Sequence, residues 1–177
     1  MSPITKDPLL GAVRVILALL IALLVFVMAM ILIGFGVLVT FGRDEFITEL
    51  AAQDAPASAY WLILLCLVLL EAIVAAGVKF LLELRGIVKS VDRGDPFEPA
   101  NADRLSRMGW LMVAAYALAV AIGVIVVFLQ RVVPDARDAD IDLDLGGGSI
   151  LLILVLFILA RVFRQGAAMR EELEGTV

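Results

Sequence analysis

The chain has 177 residues, of which 63% are hydrophobic and 19% charged, with a mean hydropathy of +1.06 and a formal net charge of -5. A soluble domain usually carries about 25% charged residues, so this balance points to an integral membrane protein. Histidine is absent and Cys66 is the lone cysteine, which excludes a His-based triad, a structural zinc site and an intrachain disulfide.

A span needs about 20 mostly apolar residues, because about 30 Å of hydrocarbon is crossed at about 1.5 Å per residue. Residues 15–40 form the first candidate, too long at 26 residues for a signal-peptide core and without a small-residue cleavage site. Residues 59–82 form the second, with Tyr60 and Trp61 at its start, where aromatic side chains sit at headgroup level. Residues 108–129 form the third, with Trp110 near one end. The fourth, residues 148–163, offers only some 13 residues before Arg161 and relies on snorkelling by Arg161 and Arg164. Uninterrupted apolar runs in lipid must be helical, since an unpaired backbone group there costs several kcal/mol. The expected fold is therefore an all-α, integral membrane four-helix bundle.

Charge assigns the sides. The connection 83–107 and its borders hold Lys79, Arg85, Lys89, Arg93, Arg104 and Arg107; the tail 164–177 and its border hold Arg161, Arg164 and Arg170; Lys6 and Arg14 precede the first span. These are expected on the cytoplasmic side, with both termini inside. The two outer connections carry only Arg43, Arg131 and Arg137 against Asp44, Glu45, Glu49, Asp54, Asp135, Asp138, Asp140, Asp142 and Asp144, and read as solvated acidic surface. The stretch "DADIDLDLGGGS" is not an EF-hand loop, because its sixth and twelfth positions are Leu143 and Ser149 rather than glycine and glutamate. It reads as a short extended segment before the last helix.

Spans two and four both run into charged amphipathic sequence, "KFLLELRGIVKSVDRG" and "ARVFRQGAAMREELEG", and placing Gly86 over Gly166 aligns Asp92 with Glu172. This weak repeat implies that both helices continue below the membrane as a cytoplasmic platform. In "DRGDPFEPANADRLSRMGW", Gly94 can end one helix, Pro96 and Pro99 force extended or turn geometry at the residues before them, and Pro99 suits the first position of the next helix. Phe97 is the large apolar side chain on this polar turn: a staple against the helix ends, or an anchor for a cytosolic partner. The turn is expected to lie beside the tail, with Arg93, Arg104 and Arg107 facing Glu171, Glu172 and Glu174.

Inside the spans, small residues recur every four positions, at Ala115, Ala119 and Gly123 and at Ala72 and Ala76, as strips for close helix approach. Glu71 is the acid of span two, about 18 Å from its outer end, and Tyr116 of span three lies about 12 Å from the inner end. The two are level in antiparallel neighbours. An ionised carboxylate in hydrocarbon costs several kcal/mol, so Glu71 is expected to face the bundle and to bond the Tyr116 hydroxyl or a free backbone carbonyl.

Together, "GDPFEPANADRLSRMGW" and "LARVFRQGAAMREELEGTV" resemble the bacterial four-helix membrane family catalogued as domain of unknown function 2975. The resemblance rests on Gly94, Pro96 and Phe97, on Asn101, Arg104 and Leu105, and on Phe163 and Gly166; Arg161 departs from the acid of many relatives. It implies a small protein of the bacterial inner membrane, commonly encoded beside a short helix-turn-helix regulator of the Cro/C1 type, and carries no catalytic residues. The resulting expectation is a non-enzymatic protein without cofactor or metal, in contact with the lipid bilayer and not directly with nucleic acid. It binds or restrains a cytosolic helix-turn-helix regulator through Gly94, Pro96, Phe97, Asn101, Arg104, Phe163 and Gly166, and a homo-oligomer is compatible with it. The alternative is a small proton-linked transporter, channel or membrane sensor that uses Glu71.

Overall fold

The structure, a computed structural model, describes residues 8–136 and 146–174. The expectations for Lys6, Arg137, the acidic stretch 138–144, the Glu174 side chain and the last three residues lie outside the described residues. The described chain is all-α: α1 (Pro8–Thr40), α2 (Arg43–Ala52), α3 (Ser58–Asp92), α4 (Pro99–Val132) and α5 (Gly147–Glu174), with a tight helical turn at Pro134–Ala136. Four helices, at Leu9–Thr40, Ser58–Asp92, Pro99–Val132 and Gly147–Glu172, are long and apolar enough to cross a membrane. They mark a multi-pass membrane protein and agree with the four-helix bundle. With 35 residues, α3 is about 52 Å long against about 30 Å of hydrocarbon, so it continues well past the span read from hydropathy. Leu19, Phe26, Ile33, Val124 and Ile158 are each more than half exposed, as apolar side chains bathed by lipid must be.

The connection after the first span is more than solvated acidic surface, because it contains α2. Asp44 and Glu45 lie in the first turn of α2, where carboxylates complement the partial positive charge of a helix N-terminus. Phe46, Ile47 and Leu50 supply its apolar stripe, and Leu50 is only 5% exposed. Asp54 then takes a left-handed conformation, φ 57°, and the Asp54 and Ala55 amides donate to Ala51 and Leu50 carbonyls, closing a Schellman cap.

The chain divides into two compact units. One comprises residues 26–76 and 114–136 of the described chain together with Gly146. Its core gathers Leu50, Ala55, Ala59, Tyr60, Leu64, Leu129 and Val133. Tyr60 is not the interfacial anchor expected from sequence. It is 1% exposed, its ring packs against Phe46 at a 6.2 Å centroid distance, and its hydroxyl donates to the Leu38 carbonyl at 3.4 Å. Trp61, about 100° further round the helix, is the exposed aromatic. The strip on span two also needs correction, since Ala72 is exposed. The second unit comprises residues 8–25, 77–113 and 147–174. Its core gathers Leu105, Met108, Leu156 and Ala160, with Phe80, Leu84, Ile87, Met112 and Phe163 packed around them.

Candidate functional site

The site lies in the second unit, where the turn between α3 and α4 meets α5. Gly94 adopts φ 81° just past the end of α3, and the Gly94 and Asp95 amides donate to Val91 and Ser90 carbonyls at 3.0 and 3.1 Å. This is again a Schellman cap, now with the glycine that a left-handed position favours. Pro99 opens α4 as the sequence indicated, and the Asn101 amide donates to the Glu98 carbonyl at 2.8 Å. Two caps five residues apart leave a short, fully specified turn.

Asn101 fastens that turn from inside. Its side-chain nitrogen donates to Ser90 Oγ at 2.6 Å and to the Pro96 carbonyl at 2.9 Å, while its Oδ1 accepts from Arg104 at 2.7 Å. The Ser90 hydroxyl in turn donates a hydrogen bond to the Ile87 carbonyl at 2.7 Å. Both Asn101 and Ser90 are fully buried, and each such bond contributes about 1 kcal/mol net, more when its loss strands a buried partner. Glu98 on the turn accepts from Arg93 at 2.8 Å and lies 3.7 Å from Arg104. The Arg104 guanidinium crosses Gly86 so closely that a Cβ there would stand 2.8 Å from Nε.

Phe97 joins this node to α5. Its ring lies 5.4 Å from that of Phe163, tilted by 39°, and a Cβ on Gly166 would come within 2.8 Å of it. Gly166 therefore leaves a notch for Phe97, as Gly86 leaves one for Arg104; these are the two glycines that the internal repeat placed in register. Gly94, Pro96, Phe97, Asn101, Arg104, Phe163 and Gly166 are thus brought together, and the turn does lie against α5. The charges that align them differ from expectation. Arg93 and Arg104 turn to Glu98, and Arg107 makes a two-pronged contact with Glu83 at 2.8 and 3.0 Å. The tail is held with opposite polarity: Arg170 bonds Asp95 at 2.5 Å, and Arg164 lies 3.5 Å from Asp103. Arg14 of α1 pairs with Asp92 at the end of α3.

Ser90, Asp95, Glu98 and Arg170 are the members of this site that sequence reasoning missed. Ser90 had a readable signal, since it sits four residues before the capping glycine and thus faces the turn that the cap creates. Glu71 and Tyr116 belong to the other unit. Glu71 Oε2 is buried and has no hydrogen-bond partner among the described residues.

The turn closed by the two caps leaves Phe97 43% exposed, with guanidinium and carboxylate groups around it. No curated protein and no solved structure matches the chain. The family described as "Protein of unknown function (DUF2975)" matches residues 45–177, which cover most of α2, all of α3 to α5 and the α3–α4 turn, and the chain belongs to that family.

Proposed function

We propose that the chain is a non-enzymatic protein of the bacterial inner membrane, with both termini in the cytoplasm, that binds or restrains a cytosolic helix-turn-helix regulator through the α3–α4 turn and α5. The observation that carries this reading is the packing of Phe97 between Phe163 and Gly166, next to the Asn101 node. It fixes a surface of exposed aromatic and charged groups at the basic end of the chain, where a partner pays little ordering entropy on docking. The excess of Lys and Arg flanking this turn supports a cytoplasmic location. The family resemblance supports the class of partner. The test is co-purification, in mild detergent, of the tagged chain with the helix-turn-helix protein encoded beside its gene. Capture by the wild type and its loss in Asp95→Arg with Phe97→Ala is the expected outcome; no association, or the absence of any such neighbour, refutes the reading.

A second reading is favoured by the bare, buried Oε2 of Glu71, since an intramembrane carboxyl group with an unused oxygen is suited to proton exchange. In that case proteoliposomes show proton-linked flux that Glu71→Gln abolishes, and flux unchanged by this substitution excludes it.

A further inference from the structure

Between α4 and α5 the second unit carries a groove of about 510 Å³, lined by Ser106 on α4 and by Phe157, Ala160, Arg161, Arg164 and Gln165 on α5. Its two ends differ in chemistry. At one end the Phe157 ring lies over the backbone of Gly109, where a Cβ would stand 3.0 Å away, and meets Trp110 edge-on at 5.6 Å. Trp110 is 65% exposed, the setting of an aromatic side chain at the boundary between hydrocarbon and headgroups. One helical turn from this level, on the side away from the hydrocarbon, stand Ser106 on α4 and Arg161 on α5, about 6 Å further along the axis; Arg164 and Gln165 follow. The groove thus runs from an apolar floor at the boundary to a cluster of hydrogen-bond donors at the depth of lipid phosphates.

Charge narrows the occupant. Arg161 makes no ion pair with a described residue, and Arg164 has only the 3.5 Å approach of Asp103, both of them well exposed. Two guanidinium groups against one distant carboxylate leave the donor end with a positive excess. Independently, α5 has only some 13 residues before Arg161, about 20 Å of apolar helix against about 30 Å of hydrocarbon. Arg161 is therefore held at the edge of the bilayer, where snorkelling delivers a guanidinium to phosphate oxygens and not to bulk water.

We propose that this groove binds an anionic membrane phospholipid, with the glycerol backbone and first methylenes over Phe157 and Ala160 and the phosphodiester between Arg161, Arg164, Ser106 and Gln165. Arginine suits the role because its planar fork offers paired donors to phosphate oxygens. The net charge of the donor end favours a lipid of net negative charge over a zwitterionic one, whose ammonium group gains nothing from two guanidinium neighbours. This site is separate from the regulator reading and rests only on the membrane placement of the helices.

The test uses the full chain in an uncharged detergent, titrated with short-chain phosphatidylglycerol, short-chain phosphatidylcholine and inorganic phosphate, with bound lipid counted by native mass spectrometry. Phosphatidylglycerol should bind about fivefold more tightly than phosphatidylcholine, roughly one basic side chain's attraction for an anionic lipid surface. Arg161→Gln combined with Arg164→Gln should reduce it to the phosphatidylcholine level, while Lys79→Gln leaves it unchanged. Equal binding of the two lipids, an unaffected double variant, or displacement of the lipid by equimolar inorganic phosphate overturns the proposal. Should the double variant not fold, a photoreactive phosphatidylglycerol applied to the wild type decides: labelling centred on residues 157–168 supports the site, and labelling confined to other segments overturns it.

Discussion

Replacing Gly166 by alanine sets two effects against each other, and their balance depends on where Phe97 sits. Alanine in a helix interior is favoured over glycine by about 1 kcal/mol, so an isolated helix gains from the change. In the folded chain the new methyl carbon meets Phe97 Cδ1 at 2.8 Å and Cε1 at 3.1 Å, closer than carbon atoms approach without displacement. The ring must leave its seat on α5. Phe97 is 43% exposed, so it forfeits roughly half of the burial energy of a phenylalanine, about 1 to 1.5 kcal/mol. Losing the contact with Phe163, now 5.4 Å between centroids, costs about 0.5 to 1.5 kcal/mol more. Subtracting the helix gain leaves Gly166→Ala destabilising by about 0.5 to 2 kcal/mol. With Phe97→Ala already in place the obstacle is gone, and the same substitution should stabilise by about 1 kcal/mol. Reversible unfolding in mixed micelles, followed by tryptophan fluorescence, measures all four corners of this cycle. If Gly166→Ala stabilises equally in both backgrounds, Phe97 does not occupy the notch and the site as described is wrong.

Asn101→Ala should cost about 1 to 3 kcal/mol by stranding buried groups, and should be strongly non-additive with Ser90→Ala, as the same unfolding assay will register. Tyr60→Phe should change stability by less than about 1 kcal/mol, because its hydroxyl bond is long at 3.4 Å, whereas Tyr60→Ala opens a cavity worth about 3 kcal/mol or more; comparable losses for the two would contradict the packing role. Glu71→Leu should be neutral or stabilising by up to about 1 kcal/mol, since it removes a buried oxygen that has no described partner, and a marked loss of stability would expose a bond that this reading lacks.

Hydropathy made the four long helices legible because apolar length is dictated by the bilayer, and glycine and proline made the α3–α4 turn legible because their backbone limits are local. Gly94 and Pro99 act through their own dihedral angles, so no knowledge of neighbours was needed. What depends on neighbours was harder to read. Helix α2 has only ten residues and a narrow stripe of Phe46, Ile47 and Leu50, too short for a hydropathy window to separate from a loop. Tyr60 and Trp61 are identical signals to such a window, yet they differ by about 100° in direction, and only packing against Leu50 and Leu129 draws the tyrosine inward. The ion pairs were the least legible feature. Exposed pairs differ by less than about 1 kcal/mol, so several pairings of the same arginines and acids are nearly equal in energy until the turn geometry chooses Glu98 for Arg93 and Asp95 for Arg170.

The double cap around residues 93–98, sealed by Asn101, also bears on how the sidedness of this chain is to be determined. Proteases cut segments that open locally, so trypsin cleavage after Arg93 requires unwinding the end of α3 or the start of α4, not merely contact with an exposed arginine. On the proposed topology, intact inverted vesicles should therefore keep this loop uncut long after flanking tags have been removed, and a map built on proteolysis alone would assign it to the opposite face. A small reagent that labels a cysteine at position 93, in a chain whose Cys66 is replaced by serine, needs no such opening and should report the side directly.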